Sequence, residues 1–328
     1  MSAPSNGHPH TTPQVTAVIP TVGRPSLRAA VRSALNQTIP TEPLVVVDDP
    51  DALSAVQTRL RGLDYRLVST AGRQGGGAAR NLGVQFAETP WVAFLDDDDD
   101  WVADKSERQI EHALGRAPTT ARRSENGAPG TDSVPADVAV SCRALLVGAG
   151  TRAVPERPYR SETDELGGVA PGVGAYVLDR STVRLRRHFL QTSTLLCARE
   201  TALDVPWREE LTRHQDWDWL IRLESAGVHI DTVPDILVRV QQGSPGSVSR
   251  SANWLGSRDW LESLTPDDVP PAARADFTAS VVARGALASG DVSRGLGELF
   301  SGLRAGAHPA ALLVGLSGLA VTRRARHG

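Results

Sequence analysis

"PLVVVDD", residues 43–49, is a continuous apolar run that ends in two acids. Such a run is typical of a strand buried on both faces of a parallel sheet. Three more strands are predicted on either side of it, at "QVTAVIP" (14–20), "DYRLVST" (64–70) and "PWVAFLD" (90–96). Apolar residues at helical spacing separate them in "PSLRAAVRSALNQ" (25–37), "DALSAVQTRLRGL" (51–63) and "GGAARNLGVQFAE" (76–88). This alternation of strands and helices predicts a doubly wound α/β sheet.

Composition and hydrophobic periodicity divide the rest of the chain into segments. Residues 116–136 are rich in Pro, Gly, Ser and Thr and predict a flexible insertion, and about 148–182 is a second irregular stretch. Residues 209–227 predict an amphipathic helix, and 229–240 a strand. Helical periods with Gly near their ends then recur. The predicted organisation is a disordered tail (1–13), a main domain (14–250) and a helical C-terminal extension (251–328).

Composition excludes several classes of protein. The chain has 328 residues and a net charge of -3, with no basic excess to suggest a nucleic-acid partner. Cys142 and Cys197 match neither a disulfide framework nor a metal-ligand spacing, which favours buried thiols in a reducing compartment. The polar start lacks the apolar segment of a signal peptide, and no stretch reaches the roughly 18 apolar residues of a membrane span. The sequence therefore predicts a cytoplasmic protein.

The last helix leaves two alternatives open. It combines the apolar run "AALLVGLSGLAV" (310–321) with the basic end "RRARHG" (323–328). Such a helix either lies on a membrane surface or packs against neighbouring helices. Peripheral membrane contact is thus one expectation, and internal packing is the other.

Acids follow two of the predicted strands. Asp48 and Asp49 follow the second strand, and five consecutive aspartates, Asp96–Asp100, follow the fourth. In open α/β sheets ligands bind beyond the carboxyl ends of the strands. Carboxylates there suit a hard cation such as Mg²⁺ or Mn²⁺, and alternation along an extended segment would let Asp96 and Asp98 face one ligand. A solvated acidic loop and a calcium-binding turn are the alternatives, although the run lacks the EF-hand layout.

A glycine-rich segment and a pair of aspartates are further candidates. "AGRQGGGAARNLG" (71–83) opens a helix whose N-terminus and Arg80 suit an anion, although Arg80 stands where a dinucleotide-binding fingerprint needs its third glycine. A turn with Arg80 in a surface ion pair is the alternative. "HQDWDW" (214–219) places Asp216 and Asp218 between tryptophans, where desolvation would raise the pKa of an acid toward that of a general base. Alternatively, the tryptophans are wall residues and the acids cap the helix or form ion pairs.

Together, "VTAVIPTVGRPSLRAAVRSALNQT", "VVVDDP", "GGAARNLGV", "WVAFLDDDDDW" and "HQDWDWLIRL" resemble the family 2 glycosyltransferases of GT-A fold, over about residues 15–240. The resemblance implies a Rossmann-like, mostly parallel sheet flanked by helices, here with the C-terminal helical extension. It implies inverting transfer of a sugar from a UDP-, GDP- or dTDP-linked donor to an acceptor hydroxyl. A bridging Mg²⁺ or Mn²⁺ is implied too, as is a role in glycan, glycolipid or glycosylated metabolite biosynthesis.

The resemblance also assigns residues on the donor side of the site. Pro20 and Thr21 are similar to the loop after the first strand that lines the nucleotide. Asp48 and Asp49 are similar to the acids that contact the base, and Arg80 to the arginine near the nucleotide and diphosphate. We therefore expect these five residues to bind the nucleotide sugar.

Metal and base assignments follow in the same way. Asp96 and Asp98 match the outer positions of the family's Asp-x-Asp, with Asp98 the preferred metal ligand and Asp96 also near the donor. Asp97 stands between them and is included among the donor-binding residues. Asp100 stands where Glu is common and is expected to be solvated. Asp216 matches the aspartate of the family's Glu-Asp pair, which implies a general base.

The sequence departs from the family pattern at several positions. Gln215 replaces the usual Glu beside Asp216, and Pro50 and Asp51 replace the usual Gly-Ser, so we expect a different base-contacting loop. Gln241 and Gln242 stand where many relatives have His or Arg, which leaves a third metal ligand open.

Two nearby segments are weaker candidates. Residues 247–250 are expected near the diphosphate, and Thr192 and Ser193 either orient a sugar or are ordinary strand residues. Two other functions remain as alternatives: a catalytically silent nucleotide-sugar-binding subunit, and a nucleotidyltransferase. The latter usually opens with a Gly-rich loop and a lysine after the first strand, where this chain has "PTVGRPS" (20–26).

Overall fold

Four parallel strands begin the sheet, as the apolar run at 43–49 predicts. The computed structural model of the chain describes residues 14–116, 134–148, 150–161, 170–183, 188–243 and 253–325. The strands are β1 (Val15–Thr21), β2 (Thr41–Val47), β3 (Arg66–Ser69), β4 (Trp91–Phe94), β5 (Asp100–Trp101), β6 (Val138–Val147), β7 (Thr151–Val154), β8 (Leu196–Ala198) and β9 (His229–Gln241). Their order is β3-β2-β1-β4-β8-β6-β9-β5, with β7 paired to β6.

Helices connect and flank these strands. They are α1 (Leu27–Leu35), α2 (Leu53–Arg59), α3 (Gly76–Phe86), α4 (Lys105–Arg116), α5 (Val173–Leu178), α6 (Arg199–Asp204), α7 (Gln215–Ser225), α8 (Trp254–Ser263), α9 (Pro271–Phe277), α10 (Arg284–Ala288), α11 (Val292–Arg304), α12 (Pro309–Leu316) and α13 (Gly318–Ala325). A π-helical segment, Thr278–Ala283, joins α9 to α10. The predicted strand and helix alternation through β4 is confirmed, which leaves Asp48 and the acid run just beyond the ends of β2 and β4.

The second half of the sheet is mixed. β8 runs antiparallel to both β4 and β6, whereas β6 and β9 are parallel. β5 pairs antiparallel with β9, opposing Asp100 to Arg239. This pairing brings the acid run beside the end of β9, although the two are far apart in sequence.

Two predictions about local structure were wrong. The stretch 148–182 contains β7 and α5, because β7 forms by pairing with residues 144–147 of β6, and Glu224 accepts a hydrogen bond from Val173 N at the start of α5. β6 directly precedes β7 in the sequence, whereas Glu224 is 51 residues away from Val173. The helix predicted from 209 begins at Gln215, since His214 has a left-handed backbone (φ 58°) that no helix continues through. Most of the predicted insertion, 117–133, lies outside the described residues.

Helices cover both faces of the sheet. One face packs on α1 and α4. The other packs on α3 and α7, where Phe94 contacts Trp207 and Trp219 edge-on and the two tryptophans stack at 4.4 Å. Because a Cβ at Gly83 would clash with Val18, glycine lets α3 approach β1 closely. That approach places Arg80, one turn earlier in α3, against the carboxyl ends of the strands.

The C-terminal helices share the core of the main domain. Trp260 of α8 and Phe277 of α9 belong to the same apolar cluster as Phe94 and Trp219. α11 and α12 add a smaller cluster around Ala279 and Leu287. Within the described residues, no helix is long and apolar enough to cross a membrane. Contact of the last helix with a membrane surface stays a prediction.

Candidate active site

The carboxylate of Asp48 holds the glycine-rich loop in place. Its oxygens accept hydrogen bonds from Thr70 Oγ1 (2.8 Å), Gln74 N (2.9 Å) and Gly75 N (2.8 Å). Gly75 has φ 95°, a conformation that favours glycine. Asp48 therefore fixes the start of α3, and its predicted contact with the base stays a prediction.

Asp49 lies at the surface of the same edge. It accepts a hydrogen bond from Asp51 N at 3.3 Å and forms an ion pair with the exposed Arg73 at 3.0 Å. The Pro50 and Asp51 departure thus forms a tight turn, Pro50–Ala52. The Asp49 side chain remains 19% exposed at the carboxyl end of β2, where a nucleotide base is expected.

The acid run folds into a turn, so the expected alternation of Asp96 and Asp98 along an extended segment was wrong. Asp99 N donates to Asp96 O at 3.1 Å, and this bond closes the turn. The two carboxylates consequently have different partners: Asp96 pairs with Arg80 at 2.8 Å, whereas Asp98 pairs with Arg24 at 3.4 Å.

Asp97 joins the acid run to the end of β1. It is 3% exposed and accepts hydrogen bonds from Thr21 Oγ1 (2.5 Å) and Arg24 Nη1 (3.0 Å). Burial raises its pKa, and the Thr21 hydrogen bond opposes that shift. Pro20 and Thr21 are the last two residues of β1 instead of the loop after it. Asp97 and Thr21 thus form one buried contact beneath the predicted metal ligands.

Asp99 is the other buried acid of the run. Ser193 Oγ (2.6 Å) and Gln191 Nε2 (3.2 Å) donate to one of its oxygens, and Gln241 N (3.0 Å) donates to the other. Burial, followed by the Asp96 charge, raises its pKa to about 8. Ser193 lies in a short helical turn, so the interpretation of it as a strand residue was wrong.

Asp100, expected to be solvated, is partly buried in β5. It opposes Arg239 in β9, and burial raises its pKa whereas Arg239 lowers it. Its position follows from strand pairing, which the local sequence does not reveal.

Arg80 connects the acid run to α7. Its Nη2 donates to Asp96 Oδ1 at 2.8 Å, and its Nη1 donates to Gln215 Oε1 at 2.8 Å. The guanidinium lies over the Trp207 ring at 4.9 Å, and the residue is 7% exposed. The alternative of Arg80 in a surface ion pair was therefore wrong. Gln215, the departure from the family's Glu, supplies a neutral acceptor to this buried cation.

Asp216 occupies the first turn of α7, next to the residue that Arg80 contacts. Burial raises its pKa to about 6, while the Trp217 backbone N–H and the Arg80 charge oppose the shift. A carboxylate with such a pKa is suited to accept a proton near neutral pH. Asp216 also lines a cavity that Gln191 shares.

Asp218 has a structural role. It is fully buried and bonded by Arg222 Nε (2.8 Å), Arg208 Nη1 (3.2 Å) and Trp260 Nε1 (3.1 Å). With both oxygens occupied, it ties α7 to α8. Of the two acids in "HQDWDW", only Asp216 thus lines the cavity.

His214 links the start of α7 to the C-terminal helices. Its ring stacks against both Trp217 (5.2 Å) and Trp260 (4.7 Å), and Nε2 lies 2.8 Å from Ser257 Oγ. Burial lowers its pKa to about 3, so the ring is neutral at physiological pH. Sequence reasoning missed His214, Arg24 and Gln191, because each acts through a partner remote in sequence.

A divalent cation fits this site only with help from a substrate. Among the described residues no group of three or more His, Cys, Asp or Glu residues is positioned to hold a metal. Asp96 and Asp98 keep 27% and 18% of their side chains exposed. Mg²⁺ is usually bound by one or two carboxylates together with substrate phosphates and waters. These two aspartates suit that mode of binding. The segment 247–250, predicted to lie near the diphosphate, is outside the described residues.

Comparison with known proteins agrees with this geometry. Residues 16–136 match the family model described as glycosyl transferase family 2. The amylovoran biosynthesis glycosyltransferase AmsB of Erwinia amylovora is 25% identical over 230 residues, which are 68% of this chain and 68% of AmsB. The Escherichia coli enzyme WfgD, a UDP-Glc:alpha-D-GlcNAc-diphosphoundecaprenol beta-1,3-glucosyltransferase, is 34% identical over 94 residues, 27% of this chain and 36% of WfgD.

A solved structure extends the match to the C-terminal helices. S. aureus TarS 1-349, crystallised with UDP-GlcNAc, superposes with a TM-score of 0.56 at 16% identity, covering 96% of this chain and 92% of that one. At this identity the likeness shows the fold alone. The N-terminal family match and the polysaccharide-synthesis relatives supply the rest of the assignment. Residues 16–136 thus match a glycosyl transferase family 2 domain, and the chain as a whole has the fold of the TarS structure.

Proposed function

We propose that this glycosyltransferase moves a sugar, with inversion, from a nucleoside-diphosphate donor to an acceptor hydroxyl with the help of Mg²⁺ or Mn²⁺. The observation that carries the proposal is the double contact of Arg80, which bonds Asp96 of the acid run and Gln215 beside Asp216. One buried cation thereby joins the predicted donor and metal side to the predicted base. The TarS structures with UDP-GlcNAc and with UDP support a nucleotide-sugar donor.

The residues proposed to bind the donor make contacts that are compatible with their proposed roles. Asp49 is accessible at the end of β2 for the base, and Asp48 holds the loop before α3. Thr21 and Arg24 fix Asp97 beneath the turn. Asp98, with Asp96, would hold the cation, which when bound stabilises negative charge on the leaving diphosphate.

Asp216 would remove the proton from the acceptor hydroxyl. A base with a pKa of about 6 is ionised at neutral pH and still basic enough to accept a proton as the new bond forms. Inversion requires the hydroxyl to attack from the side opposite the diphosphate. The cavity that Asp216 lines supports this role, because it is a space next to the carboxylate that an acceptor could occupy.

The relatives favour glycan assembly as the setting. AmsB acts in amylovoran biosynthesis, and WfgD is named for a diphosphoundecaprenol-linked acceptor. We propose that this chain likewise extends a glycan.

Donor binding is tested with a thermal-shift panel. UDP, GDP and dTDP are each added with Mg²⁺ or Mn²⁺, and the cognate nucleotide should raise the melting temperature because it binds only the folded chain. The choice of nucleotide follows from the largest shift. If none of the three stabilises the protein, the donor assignment fails.

Catalysis is tested with the matching nucleotide sugars by measuring donor hydrolysis and transfer. Asp98→Ala should remove the metal-dependent activity and Asp216→Asn the transfer, whereas Asp259→Asn on the exposed surface of α8 serves as the control. Activity that survives both site variants would overturn the assigned roles. Donor binding without hydrolysis or transfer would instead identify a silent binding subunit.

A further inference from the structure

A large cavity lies beside the start of α7 and is also lined by the C-terminal helices. Its volume is about 1120 Å³, and Gln191 and Asp216 line it on the side of the sheet. Phe277 of α9, Arg284 of α10, Val314 of α12 and Val321 of α13 line it from the other side. The predicted base thus opens into a space that the C-terminal helices complete. None of the residues assigned to the donor on the β1, β2 and α3 side lines it.

The lining of this cavity carries an excess of positive charge. Four arginines, Arg152, Arg180, Arg213 and Arg284, line it, compared with two aspartates, Asp179 and Asp216. A neutral sugar needs no such excess. Because ionised groups in a partly enclosed site act with less screening than in water, the cavity favours an anion.

Arg180 and Arg284 form the centre of this charge. Within the described parts of the chain, no carboxylate lies within ion-pair distance of either guanidinium, and the buried Arg180 Nε has no hydrogen-bond partner. Arg284 Nε donates to Ser317 Oγ at 3.2 Å. Burial lowers the pKa of Arg180 and the Arg284 charge lowers it further, whereas the Asp276 charge opposes this shift. Two arginines that line one cavity suit an anionic ligand.

The nearest buried acid does not neutralise them through a side-chain contact. The Asp276 oxygens accept hydrogen bonds from two backbone amides, Arg180 N (2.8 Å) and His308 N (2.6 Å). Asp179 lies 3.9 Å from His188. Among the described residues, these guanidiniums donate from Arg180 Nη2 to Val183 O (3.4 Å) and from Arg284 Nε to Ser317 Oγ (3.2 Å). Their other donor groups remain for a ligand, and planar arginine forks match phosphate oxygens.

The remaining wall is apolar. It includes Val177, Leu178, Val281, Leu313, Val314 and Val321. Leu313 and Val321 are 59% and 44% exposed, so this part of the wall reaches the surface. A phosphate site next to an apolar wall that reaches solvent suits a phosphate with a hydrocarbon chain attached.

We propose that this cavity is the acceptor site and that Arg180 and Arg284 bind the phosphate of an acceptor sugar carried on a lipid phosphate. The proposal rests on the proposed role of Asp216 as the base. The phosphate lies between the arginines, the lipid follows the apolar wall toward Leu313 and Val321, and the sugar hydroxyl meets Asp216.

The test compares three probes on the full chain. Dodecyl phosphate has both the charge and the chain, dodecyl maltoside has the chain with a neutral head, and inorganic phosphate has the charge alone. Binding is followed through tryptophan fluorescence, because Trp217 and Trp254 line the cavity. Dodecyl phosphate should bind at least about tenfold more tightly than either other probe.

Each other ranking overturns part or all of the proposal. If dodecyl maltoside bound as tightly as dodecyl phosphate, the assignment of a phosphate site would be wrong. If inorganic phosphate bound as tightly, the assignment of a lipid chain to the apolar wall would be wrong. This comparison uses the natural chain, so it does not depend on the folding of any variant.

Variants of the two arginines then test whether dodecyl phosphate binds in this cavity. The double variant Arg180→Gln, Arg284→Gln should lower the affinity for dodecyl phosphate by about tenfold or more. Arg294→Gln, on the exposed surface of α11, should leave this affinity unchanged. Unchanged binding in the double variant would place the probe elsewhere. The rise in melting temperature induced by UDP, GDP or dTDP is measured in parallel. Its absence in the natural chain would count against the proposed function, whereas its presence with no dodecyl phosphate binding would count against the acceptor site alone.

Discussion

The pH dependence of transfer should report the ionisation of Asp216. Burial raises the pKa of this carboxyl to about 6, and only the ionised form can accept the proton of the acceptor hydroxyl. With a pKa near 6, about a tenth of the molecules are ionised at pH 5 and about nine tenths at pH 7. At saturating donor, kcat/KM for the acceptor should therefore rise about tenfold between pH 5 and pH 7 and then level off.

Replacing Asp216 separates catalysis from stability. Asp216→Asn should lower the transfer rate by about 10²- to 10⁴-fold, the usual contribution of a general base. It should not lower stability. The folded-state pKa lies above the unfolded value, so the folded chain binds more protons between pH 4 and 6 and loses stability as pH rises through that range. Because Asn never ionises, the variant should melt at the same or a higher temperature than the natural chain at pH 8.

The assay is a pH series from 4.5 to 8.5 with the cognate donor, run beside thermal melts at each pH. The surface variant Asp259→Asn should keep the wild-type profile. A rate that does not change between pH 5 and 7, or an Asp216→Asn enzyme that transfers at a tenth or more of the natural rate, would refute Asp216 as the base. A lower melting temperature for the variant at pH 8 would refute the stability argument.

Three further changes test the surroundings of the base. Arg80→Gln should move the half-maximal pH of transfer above 6, since the guanidinium lowers the pKa of Asp216; an unchanged midpoint in the pH series would contradict this coupling. Asp99→Ala should lower the free energy of unfolding in urea by about 1–3 kcal/mol, because three buried donors lose their acceptor. His214→Ala should lower the free energy of unfolding in urea by about 1–3 kcal/mol, because the ring loses its stacking contacts with two tryptophans. Asp259→Asn should leave this free energy unchanged.

The sequence was sufficient for the first half of the fold. β1 to β4 and the helices between them follow local patterns, because each strand is an apolar run and each helix has its own apolar period. The acids at the ends of β2 and β4 follow from the same local rule. β7 and α5 were not predictable in this way. They are stabilised by β6 and Glu224, whose positions depend on the assembled sheet.

The candidate site shows the same limit. Asp96, Asp98, Arg80 and Asp216 were identified from the order of motifs, and the structure gathers them around the carboxyl ends of β1, β2 and β4. The direction of each carboxylate was not predictable. A turn closed by the Asp99 N–H, in place of an extended segment, decides which acid faces inward.

The start of α7 combines three contacts in three consecutive residues. His214 contacts Ser257 and Trp260 in the C-terminal helices, Gln215 accepts a hydrogen bond from Arg80 on the donor side, and Asp216 lines the cavity between them. A displacement of α8 would therefore move Asp216, the proposed base, relative to the acid run. Because Ser257 and Trp260 of α8 contact His214 directly, we expect changes at these two residues to alter kcat as well as acceptor KM, in contrast to a change at the exposed Asp259.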